Sequence, residues 1–260
     1  MQYNNIDWFK SKHGHEVGGF WVPRVTAITE IINKPALLKY YAQQESFEAA
    51  QVLLRNSANW GTKTHAAIEM LLKGEEIEPD LQIAPSIQAF HDWFSQYNVV
   101  VLDPEQDIER LIFDPENYYA GRMDALVEIN GELGILDIKT GTGIWEEYYL
   151  QTAAYLNAYN KTAPSQRIAD KRWILRVEQY QECVFCGAKK RGKSGTDVIK
   201  GGNPYCTHQF GPEKGIFEFK DLADNEHDIK AFLNAQELWE WYNQDNLKKI
   251  KNYPKKLKYE

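Results

Sequence analysis

The chain has 260 residues, 43% of them apolar and 26% charged, with a formal net charge of −7. This is the composition of an ordered globular protein, read as a single domain over residues 1–260 with an inserted segment at 181–208, and it argues against long disorder. No apolar run approaches the roughly 18 residues of a membrane span, "MQYNNIDWFKSKHGHE" lacks the apolar core of a secretion signal, and three cysteines make a poor disulfide framework, so a cytoplasmic protein with no membrane partner is expected.

In chain order, residues 1–22 read as irregular, with Gly14, Gly18 and Gly19. "VTAITEIINKPALLKYYAQQESFEAAQVLLRNSA" reads as helical with a break near Pro35. "GTKTHAAIEMLLKGEEI" reads as a separate helix, starting near Thr62 or Thr64 and ending before Gly74. "APSIQAFHDWFSQY" has helical apolar spacing at Ile87, Phe90, Trp93 and Phe94, and "VVVLD" is a short strand. Strands are then expected at Asp124–Ile129 and Glu132–Lys139, turning at Asn130-Gly131. "IWEEYYLQTAAYLNAYN" is helical, "KRWILRVEQY" and "GIFEFKDL" are strands, and "NEHDIKAFLNAQELWEWYNQ" is a closing amphipathic helix. The order gives a mixed α/β class: a helical N-terminal region, a central sheet flanked by helices, and a Cys-containing insert in a late β-hairpin.

The hairpin carries the chemistry. With Asn130 and Gly131 as the two turn residues, Ile129 pairs with Glu132 and Asp124 falls opposite Asp137. Their Cβ atoms would stand roughly 5 Å apart on one face, with Lys139 on the same face about 7 Å further along. Opposed, buried like charges are costly unless they pair, share a proton or bind a cation. Hard oxygen donors suit Mg²⁺ or Mn²⁺. The alternative is that Asp124 ends a loop after Gly121 and accepts backbone hydrogen bonds, with Lys139 as its ion-pair partner.

"GRMD" (Gly121 to Asp124), "DIKT" (Asp137 to Thr140) and "QTAAY" (Gln151 to Tyr155), preceded by the histidine of "GTKTHAAIE", resemble the PD-(D/E)XK nucleases, and more narrowly the RecB/AddB/Cas4-like exonuclease branch. "WVPRVTAITEIINKPALLKYYA" is similar to the N-terminal helical stretch of phage and mitochondrial members, so the resemblance covers about Trp21 to Asn243. It implies a restriction-endonuclease-like core and an Mg²⁺- or Mn²⁺-dependent deoxyribonuclease. The expected activity is that of an exonuclease on single-stranded or frayed DNA ends, in recombination, repair or phage DNA processing, in a bacterial or phage-encoded protein. By the same resemblance Asp124, Asp137, His65 and the Ile138 carbonyl are the metal ligands. Lys139 orients the attacking water or stabilises charge on the phosphate, and Gln151 and Tyr155, on one helix face, contact the substrate strand or hold the lysine. Glu109, preferred to Glu105, and Glu69, one helical turn after His65, are further acidic candidates.

Two readings compete with this one. A nucleic-acid binding module with a vestigial site would work through the basic stretch "KKRGKSG"; a net negative charge does not exclude it, because local patches decide. A sequence-specific endonuclease on the same core would need a recognition domain, and none is visible.

Cys183 and Cys186 form a C-x2-C pair, and Cys206 and His208 follow after 19 intervening residues. Together they make a possible tetrahedral structural Zn²⁺ site in a segment too rich in Gly and Lys to fold unaided, able to grip DNA or a partner protein. Some relatives hold an iron–sulfur cluster with four cysteines, one ahead of the histidine motif; here no cysteine precedes Cys183.

Overall fold

The computed structural model describes residues 5–32 and 34–255. It is a mixed α/β fold, with an eight-stranded sheet flanked by helices. No helix among the described residues is long and apolar enough to cross a membrane.

The N-terminus is more regular than its glycines suggest. Helix α1 (Ile6–His13) is capped by the Asn5 side chain, which accepts from the Asp7 and Trp8 amides. A hairpin of β1 (Gly14–Val17) and β2 (Phe20–Pro23) follows, turning at Gly18 and Gly19 with φ of 59° and 84°. Paired positive φ values are what a two-residue hairpin turn requires, so these glycines mark a turn and the expectation of irregular chain is corrected.

Helix α2 (Val25–Thr29) is short, and α3 (Pro35–Ala42) starts on Pro35, which suits a first helical position because it has no N–H to leave unpaired. Helix α4 (Phe47–Leu72) starts at its Ser46 cap and runs through the expected break at residues 58–61. Thr62 and Thr64, expected at a helix start, instead donate their hydroxyls back to the Ala58 and Trp60 carbonyls, as mid-helix threonines do. Gly74 lies just beyond the end at φ 80°.

After α5 (Ala84–Gln96), the strand expected at "VVVLD" shrinks to β3 (Val99–Val100). The four-residue α6 (Pro104–Asp107) and a strand absent from the sequence reading, β4 (Ile108–Asp114), lead into β5 (Tyr119–Ile129). The β4–β5 turn is built by Asp114, whose carboxylate accepts from the Glu116 and Asn117 amides. Strand β6 (Glu132–Lys139) returns through Asn130 and Gly131, at φ 54° and 87°, in the expected register of Ile129 opposite Glu132. Helix α7 (Glu146–Thr162) then crosses to β7 (Lys171–Cys183), parallel to β6. Strand β10 (Phe210–Asp221) lies antiparallel on β7, and α8 (Asn225–Leu247) closes the chain.

The sheet separates two apolar clusters. Leu126 and Ile135 face Tyr155, Leu156 and Ala158 of α7 and Phe232 of α8. Ala125, Val127, Leu136 and Ile138 face Trp60, Ile68 and Leu72 of α4 and Phe90 and Trp93 of α5. Helices on both faces explain why the central strands read as nearly continuous apolar runs.

Between β7 and β10 the Cys/His segment forms a second small hairpin, β8 (Lys189–Arg191) with β9 (Val198–Lys200), joined to β7 through Gln181–Lys190 and Glu182–Lys189.

Candidate functional site

The β5–β6 ladder runs from the turn to Ala125 opposite Leu136, one pair short of the two aspartates. There Asp124 Oδ2 accepts the Ile138 N–H at 2.6 Å. The alternative reading of Asp124 as a backbone acceptor therefore holds for its hydrogen bond, but Asp124 lies within β5 and Lys139 pairs elsewhere. Lys139 Nζ is 2.6 Å from Oδ2 of the fully buried Asp137 and 4.8 Å from the Tyr148 ring centroid. The Asp137 contact is a close, buried ion pair that occupies this oxygen.

Helix α7 supplies the wall behind the pair. Gln151 Nε2 donates to Asp137 Oδ1 at 3.3 Å and to the Tyr155 hydroxyl at 3.0 Å. Tyr155 sits against β5 where the backbone is bare: a Cβ on Gly121 would meet Tyr155 Cε1 at 2.5 Å. Gly121→Ala is therefore expected to push the Tyr155 ring away and lower stability by about 1–3 kcal/mol. Denaturant unfolding of parent and variant checks it.

Helix α4 supplies the opposite wall. His65 Nδ1 is 3.9 Å from Asp124 Oδ2. Burial, and then the Lys139 charge, lower the His65 pKa to about 4, against opposing pulls from Asp137, a backbone hydrogen bond with Ile138, and Glu69. The imidazole is thus neutral at pH 7, the form in which histidine ligates metals. Glu69, one turn on, is ion-paired with Lys73 at 2.6 Å. Glu109 enters at the start of β4 with φ 51°, an uncommon backbone for a non-glycine residue. Burial, then the charges of Asp124 and Glu69, push the Glu109 carboxyl up to about 7.

The balance of charge in this site is negative. Burial raises the pKa of Asp137, Lys139 lowers it and Asp124 raises it again; Asp124 is likewise raised by burial. Burial works against the Lys139 ammonium, but Asp137 and Asp124 outweigh it and keep the lysine charged. Glu69 and Glu109 have cationic neighbours of their own in Lys73 and Arg122, but one lysine against two buried aspartates is under-compensated, and a hard divalent cation matches these donors. Lys139 and the Ile138 N–H lie on carboxylate oxygens that a cation would share.

Among the described residues, the group that gathers three or more His, Cys, Asp or Glu donor atoms within 4.8 Å is a different one: Cys183, Cys186, Cys206 and His208, a cluster that could hold a metal ion. Cys183 Sγ lies 3.9 Å from Cys206 Sγ, and Cys186 Sγ lies 3.4 Å from His208 Nδ1. A disulfide needs about 2.05 Å, so these thiols are not bonded. The Cys183 thiol is disfavoured by burial as a thiolate, but the Phe185 and Cys186 amides, His208 and the Gln209 amide bring its pKa down to about 6.

His65, Asp124, Asp137, Ile138, Lys139, Gln151 and Tyr155 thus converge at one end of β6, with Glu69 and Glu109 coupled to them electrostatically. Tyr148 was missed in the sequence, although it lies three residues before Gln151 and so shares its helix face. Lys193 was also missed; it reaches the Thr140 carbonyl at 2.6 Å across 53 residues, and no local pattern links the two. No protein-family model matches the chain, and no curated protein matches it.

Proposed function

We propose that this chain is a metal-dependent deoxyribonuclease with a restriction-endonuclease-like core of the PD-(D/E)XK type, acting as an exonuclease on single-stranded or frayed DNA ends. The observation that carries the reading is the convergence of Asp124, Asp137 and Lys139, with neutral His65 on one side and Gln151 and Tyr155 on the other. The succession β4, β5, β6, α7, β7, with β6 and β7 parallel, is consistent with such a core.

Asp124, Asp137, His65 and the Ile138 carbonyl would hold Mg²⁺ or Mn²⁺, which when bound supplies a Lewis acid and an activated water. Gln151 fixes the Asp137 carboxylate, and Tyr155 fixes Gln151 through its hydroxyl. Lys139, held between Asp137 and the Tyr148 ring, places a positive charge where the phosphate gains negative charge in the transition state. DNA as partner is supported by the segment between β7 and β10, where Phe185 and Tyr205 are exposed in a stretch that also carries Lys189, Lys190 and Lys200. Exposed aromatics with lysines suit stacked bases and phosphates.

We read the Cys/His cluster as a structural Zn²⁺ site. Zn–S bonds of about 2.3 Å and Zn–N bonds of about 2.0 Å give tetrahedral edges of about 3.8 Å between sulfurs and about 3.5 Å between sulfur and nitrogen. The observed 3.9 Å and 3.4 Å agree with both.

The function is tested with linear and circular DNA, single- and double-stranded, in Mg²⁺, Mn²⁺ or EDTA. Loss of nucleotides from linear single strands, with circles intact and EDTA blocking, is the expected result. Cutting of circles would make the protein an endonuclease. Binding without metal-dependent cutting would leave it a nucleic-acid binding module.

A further inference from the structure

The Cys/His segment reaches back to the candidate catalytic centre. Its tip, residues 192–197 between β8 and β9, packs on α4, where Asn56 Nδ2 donates to the Ser194 carbonyl at 2.9 Å. Lys193 extends past the Trp60 ring, 5.5 Å from its centroid, and its Nζ donates to the Thr140 carbonyl at 2.6 Å. Thr140 directly follows Lys139.

A second path runs in parallel. Arg191 of β8 holds Glu178 through Nε at 2.5 Å and Nη2 at 3.2 Å. Glu178, buried, holds Arg176 Nη1 at 2.8 Å, and the same nitrogen lies 3.4 Å from the Gly141 carbonyl. Two consecutive carbonyls beyond Lys139 therefore face cationic donors, one carried by the segment and the other held by it. Helix α4 also closes tightly on this stretch, since a Cβ on Gly61 would meet Thr140 Oγ1 at 2.8 Å.

The segment is tied to the sheet near its base. Strand β8 pairs with β7 at two positions, Gln181–Lys190 and Glu182–Lys189. The Cys183 N–H donates to the Ala188 carbonyl and the Val184 N–H to the Gln209 carbonyl, and the four-residue cluster joins the end of β7 at Cys183 to His208 just before β10. Cross-linking both ends of a Gly-rich loop removes much of its freedom and so fixes where its tip lies.

We propose that metal binding at Cys183, Cys186, Cys206 and His208 locks Lys193 against the Thr140 carbonyl, making the segment a positioning arm for the backbone that carries Lys139. Lys193 acts through Thr140 and so is a positioning residue. The consequence for rate rests on the nuclease reading; the coupling of the two segments does not.

Lys193→Met keeps the aliphatic stem beside Trp60 and removes the donor. It is expected to lower kcat about tenfold with KM little changed, because a charge-assisted hydrogen bond is lost without loss of a substrate contact. Zinc content should stay at one per chain, hydrogen exchange at residues 140–143 should rise, and Lys193→Arg should restore both rate and protection. Stripping the metal from the unmodified chain with a chelator should raise exchange at 140–143 as well as within 184–208. Unchanged exchange at 140–143 in Lys193→Met, or a chelator effect confined to 184–208, would overturn the proposal. Coupled exchange in a protein that cuts no DNA would sink the nuclease reading and leave the positioning arm standing.

Discussion

Asp137→Ala is expected to lower metal-dependent cleavage about 10³-fold or more while leaving the metal-free fold as stable as the parent, or more so. Asp137 is fully buried, and burial together with the Asp124 charge pushes its carboxyl upward, so its ionised form burdens the fold at pH 7. Removing it relieves that burden and costs the Lys139 ion pair and the Gln151 hydrogen bond. Lys139 is not stranded, because Asp124 also favours its charge. The sign reverses when a cation is present. Saturating Mn²⁺ at about 100 times its Kd would stabilise the parent by about 2.7 kcal/mol, or about 5–10 °C in Tm, and the variant should lose that rise. Melting curves with Mn²⁺ and with EDTA decide this. A variant that melts well below the parent in EDTA would mean that Asp137 is chiefly a structural ion-pair partner.

Cys183→Ser should abolish binding at the four-residue cluster, where the parent is expected to carry one zinc per chain. Cys183 is the deepest of the ligands, 2% exposed at the end of β7, and its sulfur lies 3.9 Å from that of Cys206. A structural zinc contributes about 10–16 kcal/mol of binding free energy in small zinc peptides, far more than the two β7–β8 pairs can replace. The main sheet has its own two apolar clusters, so the loss should stay local. Limited proteolysis should cut the variant within 184–208 and leave the remainder intact, with zinc absent by metal analysis. A zinc-free parent as protease-resistant as the zinc-loaded one would contradict the structural role.

What the sequence disclosed here was what local geometry dictates. Asn130-Gly131 supplied the two positive φ values of a tight turn, and the turn set the register up to Ala125 opposite Leu136, one pair short of the aspartates. The i,i+4 spacing of Gln151 and Tyr155 put both on the site-facing side of α7. Local signals misled where tertiary packing overrode them. Gly61 reads as a helix boundary, but α4 continues through it, and the bare backbone there lets Thr140 approach. Gly18 and Gly19 read as loop, but they turn a hairpin. Strand β4, missed in the sequence, carries Glu109 at a left-handed φ, where its carboxylate comes under the influence of Asp124 and Glu69. Contacts such as Lys193 with Thr140 join distant parts of the chain and exist only once the sheet has formed.

The central claim is that the Asp124–Asp137–Lys139 centre hydrolyses DNA with a bound divalent cation. The most direct measurement follows an end-labelled single-stranded oligonucleotide, incubated with the parent chain and with Asp137→Ala, first in EDTA and then after Mg²⁺ or Mn²⁺ is added in excess. The account predicts progressive shortening that starts on addition of the cation and occurs in the parent alone. An intact oligonucleotide under every condition, or equal shortening by Asp137→Ala, would contradict it.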